Sequence, residues 1–430
     1  MSPVSRPAWN RQRSRLEGDA WRARRGPLRV IEQQLAGFVA LLIVAALVGT
    51  LVQRIPVPYE TALALVGLGA GVLLGPQPFH LTAGLILFIL LPGLLFEAAF
   101  NINWRHLRDN AASVVSLATV GVLVTTIVVG LLGHAALGLA LPAAVLFGSI
   151  VSATDPVAVL AVFRRLRVPS RLANLVESES LLNDGTGVVI FTIALGAAQT
   201  GRLALGPAAV QFVVLSVGGC LLGTAVGLAL SLVASRIDDP QVEITLTAIA
   251  AYGGYLLAGV AHVSPILCVV CAALVLGNVG RPRAMSQRTQ TAVGVFWDYV
   301  AFVLNTVVFL LIGLSVPWRQ MIEVWPLALG AAGIVLLARA VTVYPLMALL
   351  RPFVRAVNWR WQHVVVWSGL RGAIALALVL SLQATSPGRF VTIGALVYGV
   401  VLISIVVQGA TIGPLIRLVL PHEPGHPHRP

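Results

Sequence analysis

Six ionisable residues lie inside stretches that are otherwise apolar: Glu97, Asp155, Glu179, Asp184, Arg339 and Arg371. A charge in hydrocarbon costs several kcal/mol unless it is paired or faces a polar cavity, so each is a functional candidate. Four acids against two bases is an unbalanced set. Purely structural ion pairs would come nearer to balance.

The residues around them narrow the chemistry. In Ser152-Ala153-Thr154-Asp155-Pro156, the proline disfavours helical geometry at Asp155 and cannot continue a helical hydrogen-bond ladder. Asp followed by Pro suits the start of a new helix. A helix through this point is expected to break, with its second half aiming a positive N-terminus at mid-membrane. Asp155 would oppose that partial charge, and the hydroxyl and carbonyl of Thr154 would be freed for a ligand.

Glu177-Ser178-Glu179-Ser180-Leu181-Leu182-Asn183-Asp184-Gly185 reads as helix. At about 100° per residue, Ser180 and Asp184 share a face while Glu179 is turned roughly 140° from Asp184. The two acids can therefore have different roles. Glu179 can turn to a fixed cation on a neighbouring helix, and Asp184 can face a water-filled cavity beside Asn183. Arg339 is the obvious cation for one buried carboxylate. Arg371, in Gly369-Leu370-Arg371-Gly372, has glycines on both sides that weaken a helix, so a second break is expected there.

The elements that must position these residues follow from composition. Of 430 residues, 58% are hydrophobic and 10% are charged. Apolar stretches of eighteen or more residues recur, each long enough to cross about 30 Å of hydrocarbon. Helices are preferred to strands because each carries its own backbone hydrogen bonds through lipid. The apolar runs give thirteen candidate helices, at 35–53, 58–75, 81–100, 111–132, 140–163, 176–198, 207–235, 242–260, 264–280, 291–314, 324–350, 361–383 and 389–420. The expected fold class is an all-α polytopic membrane protein with a basic tail over 1–34, a membrane domain over 35–420 and a short tail over 421–430. The fifth and twelfth helices, the two expected to break, run in opposite directions, as paired elements of an inverted repeat would.

The net charge of +13 comes from 29 basic residues, all arginine, against 16 acidic ones. Nucleic-acid binding is excluded because the arginines sit in short loops between apolar spans instead of forming one face. Loops after odd-numbered helices, with the C-terminal tail, hold sixteen arginines, and loops after even-numbered helices hold three. This places the odd loops and the C-terminus in the cytoplasm of a plasma-membrane protein and the N-terminus outside. Eight arginines ahead of the first helix argue the other way, and the loops are given more weight. Cys220, Cys268 and Cys271 lie in apolar segments without further zinc ligands and read as small core residues. No cofactor is implied. Gly67, Gly71 and Gly75, and again Gly219, Gly223 and Gly227, form ridges that permit close helix contacts.

Five ordered motifs resemble the first family of monovalent cation/proton antiporters, which includes bacterial sodium/proton antiporters and eukaryotic sodium/proton exchangers. They are Leu-Pro-Gly-Leu-Leu-Phe-Glu-Ala-Ala-Phe at 91–100, Ser-Ala-Thr-Asp-Pro-Val-Ala-Val at 152–159, Glu-Ser-Leu-Leu-Asn-Asp-Gly at 179–185, Phe-Trp-Asp-Tyr at 296–299 and Gly-Leu-Arg-Gly-Ala-Ile-Ala at 369–375. The resemblance implies thirteen helices, a homodimer, and a mobile core of helices 4 to 6 and 11 to 13 working against a dimerisation domain. It carries the ion-binding aspartate onto Asp184, its neighbour onto Asn183, and supporting ligands onto Thr154, Ser180 and Glu97. It also pairs Glu179 with Arg339. The sequence departs from the pattern at Ser178, where glycine is common, and at Asp298, where glutamate is common.

The mechanism expected is competition of a proton and a monovalent cation, sodium foremost, with lithium and potassium as alternatives, for Asp184. With Glu179 neutralised by Arg339, one net carboxylate remains, which predicts electroneutral one-for-one exchange. Two other classes compete with this transporter reading. An intramembrane hydrolase using Ser180 and His262 lacks a nucleophile elbow or an orienting acid. A passive cation channel fits buried acids and broken helices less well than a binding site does.

Overall fold

The structure, a computed structural model, describes residues 36, 37, 39–52, 57–74, 81–201, 204–351, 357–385 and 391–420. Both tails and Gly75 lie outside the described residues. Every regular element among these residues is a helix. In chain order they are α1 Val39–Val52, α2 Tyr59–Leu74, α3 Leu85–Asn101, α4 Trp104–Leu137, α5 Leu141–Ile150, α6 Val157–Leu166, α7 Ser170–Thr200, α8 Leu205–Ala234, α9 Pro240–Val260, α10 Pro265–Ala284, α11 Gln287–Leu314, α12 Trp318–Leu350, α13 Trp359–Trp367, α14 Ala373–Thr385 and α15 Val391–Val419. Eight of these, α4, α7 to α12 and α15, are long and apolar enough to cross a membrane by length and composition.

The expected helices over 140–163 and 361–383 are each divided, into α5 and α6 and into α13 and α14. Pro156 follows the first break, where its missing N–H removes a ladder bond, and glycines flank the second. Several helices begin earlier than their apolar runs, among them α12, which starts at Trp318. The expected 111–132 segment starts at Trp104, because Asn103 caps it by accepting the Arg105 N–H at 2.9 Å. The 176–198 segment starts at Ser170 after Pro169. Arg105 and Arg108, assigned to a loop from the sequence, lie in the first turns of α4.

Glycine ridges set the closest helix pairs. A Cβ on Gly67 would collide with the Leu310 carbonyl, and one on Gly71 would lie 2.9 Å from the Leu314 carbonyl, so α2 lies backbone to backbone on α11. Gly219 and Gly227 bring α8 equally close to Ser264 and to Ala272 of α10. These are contacts within one chain. The Phe-Trp-Asp-Tyr motif ties α11 to its neighbours: Trp297 stacks at 4.6 Å on Phe96 of α3 and donates its Nε1–H to Thr247 of α9 at 2.9 Å. On the outside, α8 exposes Val213, Leu221 and Leu232, an apolar surface suited to lipid or a partner chain.

Candidate functional site

The two broken helices cross at their breaks. The Asp155 N–H donates to the Leu370 carbonyl at 2.8 Å, joining the unwound segments directly. Each break strands helix ends inside the protein, where water cannot satisfy them. Asp155 serves two of these ends at once, accepting from the Val157 N–H of α6 at 3.0 Å and lying against the start of α14, where a Cβ on Gly372 would meet its carboxylate. The Arg371 guanidinium serves the opposite polarity, donating through Nη1 to the carbonyls of Ser152 at 3.1 Å and Ala153 at 3.0 Å, just past the C-terminus of α5. A negative group thus sits at two positive helix ends and a positive group at a negative one. The Arg371 backbone N–H donates to the hydroxyl of Ser404 on α15, which fixes the unwound segment to that helix.

Asn183 is the hub beneath the crossing. Its Oδ1 accepts from the Thr154 N–H at 3.1 Å, and its Nδ2 donates to Thr154 Oγ1 at 2.6 Å and to Glu179 Oε1 at 2.9 Å. Only this orientation of the amide pairs donors with acceptors. Thr154 Oγ1 also shares a hydrogen bond with Ser180 Oγ at 2.9 Å. The Thr154 hydroxyl, expected from the sequence to be free for a ligand, is therefore engaged twice. Glu179 is clamped by Arg339 through two parallel bonds, Nη1 to Oε1 and Nη2 to Oε2, each 2.8 Å, with both side chains almost fully buried. This bidentate geometry is the strongest form of the pair.

Asp184 is placed differently. Its side chain faces a cavity of about 490 Å³ lined also by Thr154, Asp155 and Glu97. Among the described residues no hydrogen bond or ion pair engages its carboxylate. Asn183 and Ser180 are buried and do not line the cavity, although both touch Thr154, which does. Glu97 lines it from α3 and accepts from Asn101 Nδ2 at 2.9 Å. Glu60, Glu177, Asp298 and Arg164 also face this cavity, and the sequence reading gave none of them a role. The available signal was the same as for Glu97, an acid inside or at the edge of an apolar run. Ser180, offered above as a nucleophile, is held by Thr154, whereas His262 is exposed at the end of α9, and no acid orients either.

Chemically, Asp184 presents an unengaged carboxylate to the cavity beside the backbone-held Asp155 and close to the clamped Glu179. Such a group can hold a proton or a small cation, and the hydroxyl and carboxylate oxygens around it suit a hard monovalent ion.

The family profile described as sodium/hydrogen exchanger, transmembrane, matches residues 41–418. The Na(+)/H(+) antiporter ApNhaP of Aphanothece halophytica is 38% identical over 393 residues, covering 90% of this chain and 75% of that protein. The Na(+)/H(+) antiporter NhaP of Pseudomonas aeruginosa is 38% identical over 347 residues, covering 78% of this chain and 81% of that protein. Among solved structures, the sodium proton antiporter MjNhaP1 of Methanocaldococcus jannaschii superposes with a TM-score of 0.76 at 20% identity, over 91% of this chain and 100% of that one. That likeness establishes a shared fold.

Proposed function

The chain belongs to the sodium/hydrogen exchanger family, and we propose that it is a secondary active transporter exchanging sodium for a proton at Asp184 by alternating access. The observation that carries this reading is the contrast among three acids at the crossing. Glu179 is clamped by Arg339, Asp155 is bonded to the N-terminus of α6, and of the three Asp184 alone faces the cavity unengaged. Glu179 and Arg339 cancel as an ion pair, while Asp155 and Arg371 are held by backbone groups at the crossing. Of the three acids this leaves Asp184, able to carry one proton or one sodium ion, so the exchange is one for one and electroneutral.

Thr154 and Glu97 supply further oxygens from the cavity wall, while Asn183 and Ser180 hold Thr154 in place. Alternating access divides the all-α polytopic membrane domain into two bodies. The crossing and the Glu179–Arg339 clamp tie α5, α6, α7, α12, α13, α14 and α15 together as a mobile core, joined by α4. The glycine-ridge pairs, α2 with α11 and α8 with α10, form the scaffold, and the exposed apolar face of α8 fits the homodimer expected for it. In this reading thirteen crossings, counting each broken helix once, put the C-terminus in the cytoplasm of a plasma-membrane protein.

The test is Asp184→Asn in proteoliposomes, read as the pH change that follows a sodium gradient. The expected result is no sodium-driven proton movement from a variant that elutes and melts like the wild type. Exchange at the wild-type rate would remove Asp184 from the mechanism.

A further inference from the structure

Six carboxylates line the cavity, those of Glu60, Glu97, Asp155, Glu177, Asp184 and Asp298, against the single guanidinium of Arg164. So many like charges around about 490 Å³ repel one another and cannot all remain ionised without counter-cations. Exchange at Asp184 accounts for one. The cavity therefore has capacity for another cation, and its wall says where.

Asp155 is bonded to the Val157 N–H, Glu97 to Asn101, Asp298 is exposed to solvent, and Glu177 is only partly buried. Glu60 is the most buried of the cavity acids, with 8% of its surface exposed, and its Oε2 has no hydrogen-bond partner. Its scaffold anchor is the neighbouring residue, Tyr59, whose OH bonds Thr306 of α11 at 3.0 Å; the Thr61 donor to the Ile405 carbonyl of α15, at 3.2 Å, is a bond that parts when the core moves. Farther along, Gly67 and Gly71 lock α2 against α11.

We infer that Glu60 is a second cation-binding carboxylate, which receives sodium on the scaffold side of the cavity and raises its supply to Asp184. This rests on the antiport reading above and adds a site to it. Because Glu60 sits on the helix packed against α11, its ion stays behind when the core moves. It changes how much sodium is needed for half-maximal rate and leaves the one-for-one charge count alone.

The experiment measures sodium-driven proton exchange against sodium concentration at one fixed pH for wild type, Glu60→Gln and Glu60→Asp. Removing one negative charge from a focusing cavity is expected to raise KM about five-fold in Glu60→Gln, with the maximal rate kept, and Glu60→Asp is expected to stay near wild type. A wild-type KM in Glu60→Gln overturns the inference. If Glu60→Gln has no measurable rate, the aspartate variant decides. Transport restored by the retained charge supports a binding role, and failure to restore it assigns Glu60 to structure. Sodium-dependent thermal stabilisation provides the independent readout. It should persist in Asp184→Asn and vanish in Asp184→Asn with Glu60→Gln, and its absence from Asp184→Asn alone counts against a second site. Wild-type exchange by Asp184→Asn strikes the proposed function instead, which keeps the two failures separate.

Discussion

The clamp between Glu179 and Arg339 makes a thermodynamic prediction that can be worked from its geometry. Arg339→Met leaves the Glu179 carboxylate, 1% exposed, with only the Asn183 Nδ2 bond at 2.9 Å. Glu179→Gln leaves a guanidinium, 5% exposed, with the Val365 carbonyl at 3.4 Å and a neutral acceptor in place of the charged one. Breaking a buried pair from one side costs about 3–5 kcal/mol. In the double variant no charge is stranded. The glutamine can still accept from Asn183, and the residual cost is its own unpaired amide, about 1–3 kcal/mol. Two singles thus sum to about 6–10 kcal/mol while the double loses far less, a coupling of about 5–7 kcal/mol.

An unfolding entropy of about 2 cal/mol/K per residue gives roughly 0.8 kcal/mol/K for a chain of this length. Each single substitution should then lower the melting midpoint by about 4–6 °C, and the double by about 1–4 °C. The assay is intrinsic tryptophan fluorescence during heating in detergent, at one protein concentration and one ionic strength for all four proteins. A double variant that melts lower by the sum of the two singles would show that the residues act independently, and the clamp would lose its place in the charge count.

Two further outcomes test the crossing and the stoichiometry. Gly372→Ala would put a methyl onto Asp155 Oδ2 and 2.5 Å from its Cβ, where the Val157 N–H bond to its carboxylate and its own N–H bond to the Leu370 carbonyl resist its yielding; a loss of about 1–3 kcal/mol and of transport is expected. Gly369→Ala meets only Arg339 Nε at 3.1 Å and Thr154 Cγ2 at 3.4 Å and should be milder, so equal damage at the two sites would contradict the geometry. For the wild-type protein in proteoliposomes, a valinomycin-imposed potential of either sign should leave the sodium-driven pH change unaltered, and clear stimulation would refute the one-carboxylate cycle.

Much of this arrangement could be read along the chain because its causes are local. Hydropathy locates the helices, since lipid tolerates little else. Pro156 announces the first break and the glycines around Arg371 the second. Helical periodicity separates Glu179 from Asp184, and the structure gives them different surroundings. What escaped the sequence has mostly tertiary causes, the start of α4 being a local one. The Thr154 hydroxyl is engaged because Asn183, 29 residues away, turns its amide toward it. Helix α4 begins at Trp104 because a single asparagine caps it, a signal that hydropathy averaging erases. Glu60 looks like the edge of an apolar run until α2 is laid on α11 beside the break at Asp155. The glycine ridges were legible as ridges, while their partners, Leu310 and Leu314 or Ser264 and Ala272, were not.

The electrostatics of the crossing explain why exchange would be coupled and leak-free. A broken helix leaves N–H and carbonyl groups unsatisfied at mid-membrane, and bound ions could supply that missing charge. Here Asp155 and Arg371 do so permanently, so the crossing keeps its shape whether or not an ion is present. The Glu179 and Arg339 charges also cancel. In the proposed cycle the exchangeable charge of the core is that of Asp184. Loaded with a proton or with sodium, that site is neutral and can cross the hydrocarbon barrier. Empty, it carries one unpaired negative charge, which costs several kcal/mol in that environment and suppresses the return step by orders of magnitude. Sodium moving one way must therefore be matched by a proton moving the other. A carboxylate added to the moving core would change this count, whereas Glu60, on a helix that stays in place, would not.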